Sequence, residues 1–329
     1  MNDYSTAISS LNKILSKIDY DQLSISDYNK QYIKRIKPAF LYYFKIYAAC
    51  INEGLKNKNQ DLSELTMIDF GGGSGFLSIF AKYIGIGQVI YVDINPNSVE
   101  TISSLKETTG FGPDIILNGS SDTISTLCKK ENILPDLLIA TDLIEHVYDL
   151  GTFFSSICNI NKEMHMVFTT ASTPYNPFLV KRLHRIMERC EYEKGGYLNK
   201  RIDYIKENFP ELSSHDIKKW AFSTRGLIYE DMEKVIKEKK QPLLLDAYNT
   251  CDPETGNWTE RILPINDYHN ILSAHDYSLS VLKGFYNTDR PDSVKSMICK
   301  AINTVIRITG KAGLLIAPFI ILSCSGKRS

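Results

Sequence analysis

From Leu65 to Ala171 short apolar runs alternate with segments whose apolar residues recur at helical spacing, and no other feature limits the fold so tightly. The runs are LTMIDF (65–70), QVIYVD (88–93), PDIILN (113–118), PDLLIAT (135–141) and HMVFTTA (165–171). Helices are expected between them near 75–84, 96–107, 121–130 and 149–161, with Asn95-Pro96 and Ser120 as start signals. This alternation predicts an α/β fold, a doubly wound, Rossmann-like parallel sheet with helices on both faces. Ligands of such sheets bind at the carboxyl ends of the strands, near the point where strand order reverses.

The remaining sequence divides around that core. Residues 1–60 read as a helical N-terminal extension, dense in aromatics (Tyr28, Tyr32, Phe40, Tyr42, Tyr43, Phe44, Tyr47), with Pro38 at a boundary or kink. The plain reading of these helices is packing on the domain that follows. The core spans 61–172, a large helical insertion follows at 173–262, and 263–329 completes the fold. In that last part a helix is expected at 267–274, a strand at 278–285, a helix near 292–308 and a buried strand from the apolar run GLLIAPFIILSC (313–324). That run is too short to cross a bilayer, which takes about 20 apolar residues.

Lys plus Arg and Asp plus Glu each number 38, so the formal net charge is zero and nothing electrostatic argues for a nucleic-acid partner. Seven scattered cysteines, without a C-x-x-C pair, suit a reducing cytosol better than a disulfide framework or a zinc knuckle. The first residues lack the apolar centre of a signal peptide. A cytoplasmic protein is the expectation, with no membrane span; a homodimer is left open.

The chemistry concentrates at strand ends. Ile68-Asp69-Phe70-Gly71-Gly72-Gly73-Ser74-Gly75 closes the first strand and opens a helix. Glycines there permit a tight turn and close approach of backbone to a ligand. A nicotinamide fingerprint, G-x-G-x-x-G, fits poorly, because Phe76 falls on its third glycine. The second strand ends in Asp93-Ile94, where a carboxylate can accept both hydroxyls of a ribose. Asn118-Gly119-Ser120-Ser121-Asp122 follows the third strand, with Ser120 also a good helix cap.

The run Asp69, Gly71, Gly73, Gly75 resembles the first motif of class I S-adenosylmethionine-dependent methyltransferases, an acidic residue followed by G-x-G-x-G. The resemblance implies S-adenosylmethionine as cofactor. It lays the glycine loop along the methionine part, with Asp69 helping to hold the amino group. It assigns the ribose to Asp93, packing on adenine to Ile94, a polar contact to the adenine edge to Asp122, and a cofactor contact to Thr141. Asp142-Leu143-Ile144-Glu145-His146-Val147 is similar to the E-x-L-E-H-V element of the ubiquinone-biosynthesis O-methyltransferase-like group, with Asp142 and Ile144 as departures. That likeness implies catalytic roles for Glu145 and His146, as ligands of a divalent metal or, for His146, as general base; a structural turn is the plain alternative.

Substrate contacts are expected from Asp142, Tyr175, Arg185 and Trp258. Tyr175 lies in the turn after the fifth strand. Arg185 belongs to a basic stripe with Lys181 and Arg189 on a helix whose apolar face is Leu179, Leu183, Ile186 and Cys190, although a solvated face is the plainer reading of that stripe. Trp258 would stack on a ring or anchor its own loop. The insertion is expected to cap the strand ends. The sequence thus points to a methyltransferase acting on a small molecule, most readily at a hydroxyl (glycan, secondary-metabolite or quinone-like). A non-catalytic binding protein and a nicotinamide oxidoreductase are the rivals.

Overall fold

In the computed structural model, which describes residues 2–56, 58, 60–244 and 246–327, five parallel strands carry the sheet. They are β1 (Thr66–Phe70), β2 (Gln88–Asp93), β3 (Ile115–Asn118), β4 (Leu137–Thr141) and β5 (His165–Thr170). Helices α1 (Ser5–Ser16), α2 (Asp27–Ile36) and α3 (Phe40–Gly54) precede β1, and Pro38 sits in the 3-10 turn between α2 and α3. Between the strands run α4 (Phe76–Tyr83), α5 (Pro96–Thr109), α6 (Ser121–Lys130) and α7 (Leu150–Cys158). Local chemistry sets these boundaries. Asn95 caps α5 ahead of Pro96, Gly110 ends it at φ +73°, and Ser120 with Thr123 forms a capping box on α6.

After β5 come α8 (Pro177–Tyr192), α9 (Tyr197–Asn208), α10 (Ser214–Ser223) and α11 (Tyr229–Lys237), then α12 (Ile265–Ser273), β6 (Tyr277–Lys283), α13 (Ser293–Ile308) and β7 (Ile320–Gly326). Spatial order is β3-β2-β1-β4-β5-β7-β6, with β7 antiparallel to both neighbours. Strand order reverses between β1 and β4, so the ends of those two strands mark the ligand crevice. The run 313–324 is not one strand. Residues 310–315 form a 3-10 helix and β7 begins at Ile320, after Pro318, whose missing N–H cannot serve a ladder.

Side chains alternate between two cores. Met67, Val89, Tyr91, Leu137 and Ile139 face α1, α3 and α4, whereas Ile68, Ile90, Val92, Leu138 and Ala140 face α6, α7 and α12. The insertion builds a third core of its own from Ile205, Phe209, Ile217, Ala221, Met232 and Ile236. Its polar anchor is a buried pair, Arg201 with Glu191, where Glu191 also accepts from Thr250 Oγ1 at 2.7 Å and Arg201 Nε donates to Ala221 O at 2.8 Å. The buried stripe of α8 is Leu183, Met187 and Glu191, not the expected Leu179, Leu183, Ile186 and Cys190.

Candidate active site

Gly71, Gly73 and Gly75 all adopt positive φ (+65°, +53° and +78°), the left-handed region where a side chain is strained. Gly71 and Gly75 are also packed in: a Cβ would come within 2.6 Å of Leu143 and 2.2 Å of Ile102. At Gly73 it would meet nothing within 4 Å, so the middle of the loop faces open space. Two β2 side chains clamp the loop there. Gly73 N donates to Asp93 Oδ2 (2.9 Å) and Tyr91 Oη donates to Gly73 O (2.6 Å). Tyr91 was not foreseen, because a buried strand tyrosine looks like core until its hydroxyl is placed.

Asp69 lies beneath the loop, 2% exposed, accepting from Ser78 N (3.0 Å) and Ser78 Oγ (2.6 Å) in the first turn of α4. Burial pushes its carboxyl up to about 7, opposed by the two Ser78 hydrogen bonds. Asp93 is likewise raised by burial, and its Oδ1 accepts from Asn95 N at 2.8 Å. Ile94 stands 77% exposed beside it. Asn118 Nδ2 braces this strand end by donating to Asp93 O (2.9 Å) and Ile94 O (3.0 Å). Asp122 is directed elsewhere: its carboxylate accepts from Ser156 Oγ of α7 at 2.5 Å, a tie between neighbouring helices.

Above the loop lies a cavity of about 320 Å³. Gly71 to Ser74 and Thr141-Asp142 form its floor, and Tyr32, Tyr42, Tyr43 and Tyr47 of α2 and α3 form its wall. The N-terminal helices therefore do more than pack. Asp142 has φ +50°, rare for a side-chain-bearing residue and frequent at functional sites. Its side chain is reachable from the cavity, yet protein surrounds it. That desolvation and the nearby Glu260 raise it to about 6, while His146 opposes them. Glu260 also has positive φ (+53°) and accepts from Ser172 Oγ at 2.8 Å.

Glu145 and His146 differ in their surroundings. Glu145 is 2% exposed, with Oε2 lacking a hydrogen-bond partner; burial, with Asp142 adding, holds its carboxyl well above the usual range. Among the described residues, no three His, Cys, Asp or Glu side chains converge as metal ligands. His146 Nδ1 lies 2.7 Å from Trp258 O, which only accepts, so Nδ1 is the donor of that bond. The main chain stitches this turn to the end of the insertion: Trp258 N donates to His146 O and Arg261 N to Glu145 O.

Glu145 and His146 stand behind Asp142 without lining this cavity, and three expected substrate residues are absent from it. Trp258 anchors its own loop, its Nε1 donating to Tyr148 O at 3.1 Å and its ring covered by the Arg261 guanidinium at 4.2 Å. Tyr175 packs on the α7 face of the sheet, and Arg185 lies outward on α8 beside Glu188 and Arg189. None of α8 to α11 lines the cavity; the insertion meets the core beside it, where Tyr148 Oη donates to Asp231 of α11 at 2.6 Å. The apolar faces of α9 to α11 are buried against one another.

The family model for ribosomal protein L11 methyltransferase (PrmA) matches residues 49–164. This stretch holds β1 to β4 and the glycine loop. The L11 methyltransferase of Vibrio vulnificus is 28% identical over 136 residues, covering 40% of this chain and 44% of that protein. That of Glaesserella parasuis is 32% identical over 94 residues, covering 28% and 29%. The chain thus spans less than half the length of these relatives. Among solved structures, YcgJ of Bacillus subtilis aligns over 85% of this chain and 99% of its own (TM-score 0.42, 12% identity). The plantazolicin methyltransferase BpumL, in complex with SAH, aligns over 98% and 96% (TM-score 0.42, 10% identity).

Proposed function

We propose that this chain is an S-adenosylmethionine-dependent methyltransferase that methylates a hydroxyl of a small molecule. The observation that carries the reading is the meeting of the glycine loop, Thr141-Asp142 and the tyrosine wall at one cavity. The residues fit the cofactor. Gly73 leaves open space over the loop, and each Asp93 oxygen, already holding one backbone N–H, retains a lone pair for a ribose hydroxyl. Exposed Ile94 would pack on adenine, and Asp69 would act on the amino group from below the loop. Bound there, S-adenosylmethionine supplies a methyl group on an electrophilic sulfonium.

The chain's own work is positioning and proton removal. Tyr32, Tyr42 and Tyr43 would hold the acceptor and exclude water. His146, its tautomer fixed by Trp258 O, would take the hydroxyl proton on Nε2 as the new O–C bond forms and the C–S bond breaks. Asp142 and Glu260 would stabilise the resulting imidazolium. The similarity of residues 140–147 to the ubiquinone-biosynthesis group supports hydroxyl chemistry. The L11 methyltransferases are named for a ribosomal-protein substrate and share only the core, so the acceptor is read here from the four tyrosines of the cavity wall.

Calorimetry with S-adenosylhomocysteine and with NAD tests the cofactor, and the first alone should bind. Mass spectrometry then compares methyl gain in a small-molecule extract with that in ribosomal protein L11. Methyl gain only on the protein would overturn the acceptor class. Binding with no methylated product in either would favour a non-catalytic binding protein.

A further inference from the structure

Helix α13 presents an apolar stripe to the outside of the molecule. Val294, Met297, Ile298, Val305 and Ile308 are 59%, 66%, 50%, 43% and 70% exposed. With the exposed Ala301 they fall within an arc of about 100° at 3.6 residues per turn. The stripe lies opposite Cys299 and Ile306, the two residues by which α13 is buried. A helix usually turns its apolar arc to the core, so this one is inverted with respect to its apolar content. Just beyond its end, Leu315 is 52% exposed as well.

Charge decides what could cover the stripe. On the helical projection Lys295 flanks one edge and Lys300 the other, Arg307 lies farther round behind Lys300, and Lys311 follows the helix. Residues 293–327 contain no Asp or Glu. The nearest carboxylate in sequence is the cap Asp292, which pairs with Lys295 at 3.2 Å; among the described residues Lys300, Arg307 and Lys311 form no ion pair. A second copy docked stripe to stripe would bring these cations against their own equivalents. An apolar stripe bordered by cations instead matches a surface with an apolar interior and anionic headgroups.

We propose that α13 is an in-plane anchor that docks this chain on an anionic lipid bilayer. No helix among the described residues is long and apolar enough to cross a membrane, so the attachment is peripheral. The stripe inserts to the level of the acyl boundary, and Lys295, Lys300, Arg307 and Lys311 meet the headgroups. The chain then runs from Leu315 to Pro318 and Phe319, which line the candidate active-site cavity. Docking would therefore set the cavity close to the membrane surface. Only this last consequence rests on the proposed function.

The test is co-sedimentation of the full chain with vesicles of phosphatidylcholine alone and of phosphatidylcholine mixed with phosphatidylglycerol. Three cations without protein partners, each adding about a factor of 5 on an anionic surface, should give roughly 100-fold tighter partitioning to the mixed vesicles. Met297→Glu combined with Ile308→Glu should abolish pelleting, and Lys300→Glu with Arg307→Glu should remove the preference for anionic lipid. All four positions are exposed, and S-adenosylhomocysteine affinity should be unchanged in both variants, so a failure here is distinct from a failure of the cofactor reading. Absence of pelleting, or equal pelleting on both vesicles, overturns the proposal. So does a concentration-dependent dimer in sedimentation velocity that Met297→Glu dissociates while vesicles are ignored.

Discussion

Asp93 serves the glycine loop and, in the proposed function, the ribose, and a pair of variants separates these tasks. Asp93→Ala removes the acceptor of Gly73 N together with the carboxylate offered to the ligand. Tyr91→Phe removes only the hydroxyl that holds Gly73 O, on the other side of the same residue. A neutral hydrogen bond contributes about 0.5–1.5 kcal/mol, so Tyr91→Phe should weaken S-adenosylhomocysteine binding by at most roughly 10-fold, through a looser loop. A hydrogen bond to a charged group contributes about 1.5–3 kcal/mol, so Asp93→Ala should weaken it by roughly 10- to 150-fold beyond the effect of loosening. Titration calorimetry measures both, and circular dichroism checks the fold. Equal losses in the two variants would mean that Asp93 acts only through the loop. Wild-type affinity in folded Asp93→Ala would refute the ribose assignment outright.

His146→Ala should lower turnover by about 10²–10⁴-fold with little change in S-adenosylhomocysteine affinity; unchanged turnover would return residues 144–146 to a structural turn. Arg201→Met leaves Glu191 buried without its partner and should cost about 3–5 kcal/mol in urea unfolding, while the double change to Met and Leu should recover much of it. Asp69, with a folded carboxyl near 7 against 3.8, holds its proton more tightly when folded. Its contribution is full below about pH 4 and is lost as pH rises towards 7, a difference of at most about 4 kcal/mol. Unfolding of Asp69→Asn should lack that part of the pH dependence; parallel wild-type and variant profiles would contradict the assigned environment.

The alternation of runs between Leu65 and Ala171, the caps at Asn95 and Ser120 and the three positive-φ glycines are local matters, set by each residue's conformational range and period. For that reason the strands, the helices and the loop Gly71–Gly75 were legible in sequence. Side-chain destinations across the fold were not. Asp122 answers to Ser156, Trp258 to Tyr148, and the insertion helices to one another, because each partner is distant in sequence and wins by proximity that only packing creates.

The tyrosine wall shows the same division. Tyr32 and Tyr43 look like any aromatic on a half-buried helix, and only the docking of α2 and α3 over the β1 and β4 ends gives them a cavity to line. Glu260 has no motif, and its approach to Asp142 depends on the left-handed turn after β4 meeting a second one at the far end of the insertion. The sequence alone determined the sheet, its order of helices and the glycine loop, since these follow from backbone preference and hydrophobic period. Tertiary structure decided which groups face the cavity and which titrate abnormally, since burial and long-range contact exist only once the chain has closed on itself.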